Sequence, residues 1–157
     1  METLSVEERY ELERGKSLPS KHHSFIQTVL ASQFLFKYKE YLPMSELSVL
    51  IKDKTKVPDI AIYRRNEFDL AKEEIKTQQI PLGVIEILSP KHNITELLEK
   101  PKDYFEAGVK SYWLVVPPLK NIFIFHQVGH YTASFEKNDT LKDDVLNVEL
   151  SLSEIFV

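Results

Sequence analysis

Two hydrophobic rhythms alternate along this chain. From Lys21 to Tyr41, the residues Phe25, Ile26, Val29, Leu30 and Phe34 recur at helical spacing, predicting a long helix with one face on the core and a stop at Pro43. Ahead of it, Glu7–Arg14 predicts a short helix closed by Gly15, following a polar arm. Three strands are expected next. In Glu46–Asp53, Leu47, Val49 and Ile51 alternate with Ser48, Leu50 and Lys52. In Val57–Arg64, Ile60 and Ile62 share one face, and Asp59, Ala61 and Tyr63 the other. Ile80–Leu88 is apolar on both faces, as a central strand is. The charged stretch Asn66–Gln79 between these strands reads as a loop with a helical turn. Asn93–Ala107 predicts a second long helix with Gly108 as its stop. Strands Ser111–Val116, Ile122–Gln127 and His130–Glu136 follow, the last two as a hairpin about Gly129. Val145–Leu150 predicts a final short strand, and Ser151–Phe156 a helical turn capped by Ser151 or Ser153. The order helix, strands, helix, strands predicts an α/β or α+β domain with a mixed sheet.

Composition narrows the function classes. At 157 residues the chain amounts to one domain, spanning 1–157, with no internal repeat. No stretch approaches the ~20 consecutive apolar residues of a membrane span. The first residues are acidic and lack the apolar run of a signal peptide, so a soluble, cytoplasmic protein is expected. The absence of cysteine excludes disulfides, thiolate zinc sites and cysteine nucleophiles. With 24 acidic and 20 basic residues the net charge is −4, which argues against a protein coated in positive charge for non-specific DNA binding but leaves room for a local basic face. The 4 glycines form no phosphate-cradling loop.

Three residues stand out chemically. Glu86 lies inside Gly83-Val-Ile-Glu-Ile-Leu-Ser89, the most apolar strand of the chain. A carboxylate there must either pair with a base or bind a cation, because burying it alone costs several kcal/mol. Asp59 follows Pro58 at a strand start, which suits a turn-forming residue. Beside Glu86, however, it could share one hard cation such as Mg2+, which binds through one or two carboxylates plus water and phosphate oxygens. Lys100 sits one helical turn before Tyr104 and on the same face. It either pairs with Glu96 on a solvated helix or points at the carboxylates, where it would orient water or stabilise phosphorane charge. His22, His23 and His92 are scattered near these segments without metal-ligand spacing, and His126 and His130 flank a hairpin turn.

Taken together, Val57-Pro-Asp59, Gly83-Val-Ile-Glu86-Ile-Leu-Ser89-Pro90, Lys100-x-x-x-Tyr104 and Gly108-Val-x-x-Tyr112-Trp113-Leu-Val resemble the Uma family of restriction-endonuclease-like proteins, within the PD-(D/E)xK nuclease superfamily. Tyr10-Glu11-Leu12 with Gly15, then His23-x-x-Ile26, resembles the N-terminal section of that family. The resemblance implies a restriction-endonuclease-like fold, a mixed central sheet flanked by helices. It implies an Mg2+ or Mn2+ site formed by Asp59 and Glu86, and catalysis by Asp59, Glu86 and Lys100. Glu11, His23 and Tyr104 are implied as accessories. The lysine that normally follows the second acid by two residues is Leu88 here, and the following helix supplies Lys100 in its place. Pro101 directly after Lys100 reads as a helix break or as the first position of a new helix.

The leading expectation is an Mg2+-dependent deoxyribonuclease acting as a homodimer on DNA, with Lys52, Lys54, Lys56, Arg64 and Arg65 available for phosphates. The alternatives are a non-catalytic nucleic-acid-binding module of the same fold, or a structural protein in which Glu86 is salt-bridged to Lys100.

Overall fold

The structure, a computed structural model, describes residues 2–134 and 139–157. Two helices open the chain, α1 (Val6–Arg14) and α2 (Lys21–Lys37). Strands β1 (Tyr41–Ser45), β2 (Ser48–Ile51), β3 (Lys54–Lys56), β4 (Ile60–Arg64), β5 (Lys76–Thr77) and β6 (Gly83–Ile87) follow. Helix α3 (Ile94–Ala107) crosses to β7 (Ser111–Val116), β8 (Asn121–Gln127) and β9 (His130–Ser134). The hairpin β10 (Thr140–Asp143) and β11 (Val148–Ser151) leads into a last turn of helix, α4 (Leu152–Ile155).

Six strands form the central sheet in the order β1-β4-β6-β7-β8-β9. Only β6 and β7, joined through α3, pair in parallel; the other neighbours are antiparallel. The expected mixed sheet is therefore present. Its two faces carry separate cores. Ile60, Ile62, Ile85, Ile87, Trp113 and Val115 face α2, α4 and the β10–β11 hairpin. Val84, Tyr112, Leu114 and Val116 face α3 and a small sheet of β2, β3 and β5.

Several expectations need correction. Helix α2 stops at Lys37, and its buried stripe is His23, Ile26, Leu30 and Phe34. Phe25 lies off that stripe and is 44% exposed. Pro43 does not end a helix: it lies inside β1, paired with Ile62 on the sheet's edge, where a missing N–H costs no ladder bond. The strand expected over Glu46–Asp53 is the shorter β2 and belongs to the small sheet. Strand β10 was not expected, and the final strand sits three residues later than its predicted start. Residues 135–136 of the expected hairpin strand lie outside the described residues. Ser151 occupies the N-cap of α4 but makes no capping bond; its hydroxyl meets that of Ser153 at 2.9 Å.

Pro101 neither breaks α3 nor starts a new helix. It is buried at an interior position of one continuous helix, between an Asn93 N-cap and a left-handed Gly108 cap. A proline here removes the bond to the carbonyl four residues back, that of Leu97. The buried Tyr112 hydroxyl from β7 donates to that carbonyl at 3.0 Å. Tyr112→Phe is therefore expected to cost about 1–3 kcal/mol, because it strands a buried acceptor. Urea unfolding should report the loss without a change in slope.

A second polar tie lies across the sheet. Buried Asp143 accepts from Trp113 Nε1 at 2.7 Å, from the Ser111 hydroxyl, from His126 Nε2 at 3.0 Å and from the N–H groups of Val145 and Leu146. It anchors the β10–β11 hairpin on β7, so that carboxylate is fully used in packing.

Candidate functional site

Antiparallel β4 and β6 pair Ile60 with Ile85 and Ala61 with Val84. One step further along the same register, Asp59 comes opposite Glu86. The ladder is closed there by a side chain, since the N–H of Ile87 donates to Asp59 Oδ2 at 2.7 Å. Both acids lie on the α3 face of the sheet and are essentially inaccessible, at 0% and 1% exposure. The pleat of two apolar strands thus forces two carboxylates together inside the protein.

Three further elements close on them. From α2, His23 Nε2 meets Asp59 Oδ2 at 3.0 Å, and Gln27 donates to the Asp59 carbonyl. Among the described residues, the other His23 ring nitrogen is buried with no hydrogen-bond partner. From α3, Lys100 Nζ lies 3.9 Å from Glu86 Oε1, and the Tyr104 hydroxyl lies 3.5 Å from the same oxygen. Lys100 is thus turned toward Glu86 rather than toward Glu96, and the proline beside it leaves that aim intact. From the segment after α1, Lys16 Nζ contacts Asp59 Oδ1 at 2.5 Å, Glu46 Oε2 at 2.8 Å and the Val57 carbonyl at 3.2 Å. Glu46 reaches this lysine from a left-handed backbone (φ 57°) just past β1.

The two acids titrate in opposite directions. Burial alone would push Asp59 up, but the His23 hydrogen bond and the Lys16 charge outweigh it and hold the carboxyl at about 2. Burial and the Asp59 charge drive Glu86 up to about 8, against the pull of Lys100 and Lys16. Lys16 is held above its ordinary range: Asp59 and Glu86 outweigh the burial that works against its charge. His92, whose Nδ1 accepts from the Ser89 N–H, is lowered by burial and by Lys100. Tyr104 is raised by burial and by Glu86.

Asp59, Glu86, Lys100, Tyr104 and His23 are therefore brought together. Glu11 is not among them: its carboxylate lies 3.7 Å from Lys91, which also pairs with Glu7. The basic residues expected at phosphates are largely engaged. Lys52 pairs with Glu106, Lys56 meets Asp103 at 3.4 Å, and Arg65 donates to the Lys39 carbonyl at 2.6 Å, whereas Lys54 and Arg64 are exposed. Lys16 and Glu46 escaped the sequence reading, because a lone lysine after a helix-ending glycine carries no periodic signal. A count of charges around two acids destined for burial would have called for one more base.

Among the described residues, no group of three or more His, Asp or Glu side chains forms that could hold a metal. The donor set at this site is the carboxylate pair. Two buried, opposed oxygen donors suit a hard ion that completes its shell with water and substrate oxygens. No helix among the described residues is long and apolar enough to cross a membrane.

Comparison with known proteins agrees with this architecture. No curated protein matches the chain. Among solved structures, a "putative nuclease belonging to DUF820" from Anabaena variabilis superposes with a TM-score of 0.77 at 23% identity, covering 90% of this chain and 83% of that one. At that identity the likeness concerns the fold. The sequence itself matches Uma2, described as "Putative restriction endonuclease", over residues 2–154. With the match running through every element that builds the carboxylate pair, the chain belongs to the Uma2 family of nuclease-fold proteins.

Proposed function

We propose that the protein is a metal-dependent endonuclease that hydrolyses DNA phosphodiester bonds at the Asp59–Glu86 pair. The observation that carries this reading is the convergence of two buried carboxylates across β4 and β6 with a lysine and a tyrosine from α3. Asp59 and Glu86 would hold Mg2+ or Mn2+. Such an ion, when bound, supplies Lewis acidity toward the scissile phosphate. The remaining work falls to the chain. The His23 hydrogen bond and the Ile87 N–H fix the rotamer of Asp59. Tyr104 orients Glu86. Lys100, one-third exposed, faces both Glu86 and solvent, where it can position the attacking water or stabilise charge on the phosphate. Cutting both strands of a duplex calls for two such sites, which favours a homodimer.

The test is cleavage of plasmid and single-stranded DNA with Mg2+ or Mn2+, comparing wild type with Asp59→Asn and Glu86→Gln. Wild-type cleavage that falls to background in both folded variants is the expected result. No wild-type cleavage with either ion on either substrate, or cleavage surviving in both variants, would overturn the assignment.

A further inference from the structure

Lys16 occupies an unusual position. Its ammonium sits directly on the Asp59 carboxylate, with Glu46 and the Val57 carbonyl completing its contacts. Only 10% of this side chain is exposed. Asp59 Oδ2 already accepts from His23 and from the Ile87 N–H, which leaves Oδ1 as its other oxygen. That oxygen faces Lys16 at 2.5 Å. A divalent ion needs an oxygen at roughly 2.0–2.1 Å and cannot share one face of it with an ammonium group.

The charges lead to the same point. Lys16 against Asp59 and Lys100 beside Glu86 already place two cations on the carboxylate pair. Cations already seated there oppose the entry of a dication.

The helix that precedes Lys16 is lightly held. Helix α1 buries no side chain. It is tied down by the Lys91 ion pairs to Glu7 and Glu11 and by Arg14 donating to the Glu46 carbonyl at 2.7 Å. Exposed ion pairs such as those of Lys91 contribute about 0–1 kcal/mol each, so helix α1 belongs to the easily opened part of the fold and the buried contacts of Lys16 are the main tie of this segment. Gly15, in left-handed conformation (φ 68°), caps α1 immediately before the lysine.

We propose that Lys16 is a resident counter-cation of the carboxylate pair, which a divalent ion must displace before it can engage Asp59. The lysine keeps the metal-free site neutral and folded, and its withdrawal sets the metal affinity. This rests on the metal-binding reading above.

The test is titration of Mn2+ alone, by calorimetry and by thermal unfolding, into wild type, Lys16→Met and Glu86→Gln. Methionine keeps the apolar stem and removes the charge. Lys16→Met is expected to melt lower without metal, to bind Mn2+ about 10- to 100-fold more tightly, and to gain more thermal stability from it than wild type does. A folded Lys16→Met that binds no more tightly than wild type overturns the proposal. If both bind equally and Glu86→Gln does not, the metal reading survives and the role of Lys16 fails. If none binds at millimolar Mn2+, both fail. Should Lys16→Met not fold even with Mn2+, amine acetylation of wild type read by mass spectrometry decides. Lys16 is expected to be protected without metal and labelled at Mg2+ concentrations that raise the melting temperature. Unchanged labelling there overturns the proposal.

Discussion

Asp59→Asn is expected to abolish cleavage and to destabilise the fold by about 3 kcal/mol, the low end of what breaking a buried ion pair costs. Asp59 is the hub on which Lys16, His23 and the Ile87 N–H all converge. An asparagine offers one accepting oxygen in place of two and turns an NH2 group toward donors. Lys16 would keep only Glu46 as a charged partner. Part of the loss is returned, because the Asp59 charge that opposes Glu86 disappears; this keeps the cost near the lower bound. The pH dependence fixes the cause. The folded pKa of Asp59 is depressed from 3.8 to about 2, so its contribution is complete above the unfolded value and is lost as pH falls through the folded one. The stability gap between wild type and Asp59→Asn should be full at pH 6 and shrink between about pH 4 and 2. Chemical unfolding across that range measures it. A gap that stays constant with pH would show that lost shape, rather than lost charge, is responsible.

The parts of this molecule that were legible in its sequence are those where one local pattern had a single structural meaning. Ser111–Val116 is a strand with the bounds its apolar run predicts, because a fully buried central strand has no polar face to blur it. Helix α3 was readable to within one residue, with Gly108 marking its end; Asn93, read as its first residue, is its N-cap. Glu86 was readable for the opposite reason: a charge inside so apolar a strand needs an explanation. The failures occur where tertiary context decides. Tyr38 and Tyr41 continue the helical spacing of α2, yet their hydroxyls reach the Glu149 and Leu146 carbonyls, and the chain between them turns into an edge strand where Pro43 is tolerated. Pro101 looked disruptive because the tyrosine that compensates it lies on another element. The Asp143 anchor and the Lys16 contacts join residues about 30 to 45 positions apart and leave no periodic trace.

Glu86→Gln is expected to do the reverse of Asp59→Asn in stability while sharing its loss of cleavage. Glu86 is fully buried, and Lys100 Nζ lies 3.9 Å from its Oε1. With Asp59 opposite, its charged form is the costly one, and its folded pKa rises from 4.5 to about 8. The sign follows directly. Between those values the folded state binds the proton more tightly than the unfolded chain does, so wild-type stability falls as pH climbs through the window. Above it the full penalty remains. A glutamine amide is neutral at every pH and can donate to Asp59 as the protonated acid does. Glu86→Gln should therefore match wild type near pH 5 and exceed it by on the order of 1–3 kcal/mol at pH 9, with melting temperatures separating by ~2–4 °C per kcal/mol. Divalent ions should then reverse the ranking, stabilising wild type and leaving the variant unmoved, since an ion that binds only the folded state adds its binding free energy to stability. A purely structural salt bridge between Glu86 and Lys100 predicts the opposite: losing the carboxylate strands the lysine and destabilises the protein at every pH above 5. Thermal melts of the two proteins at pH 5 and pH 9, with and without Mn2+, separate a carboxylate kept for a cation from one kept for packing.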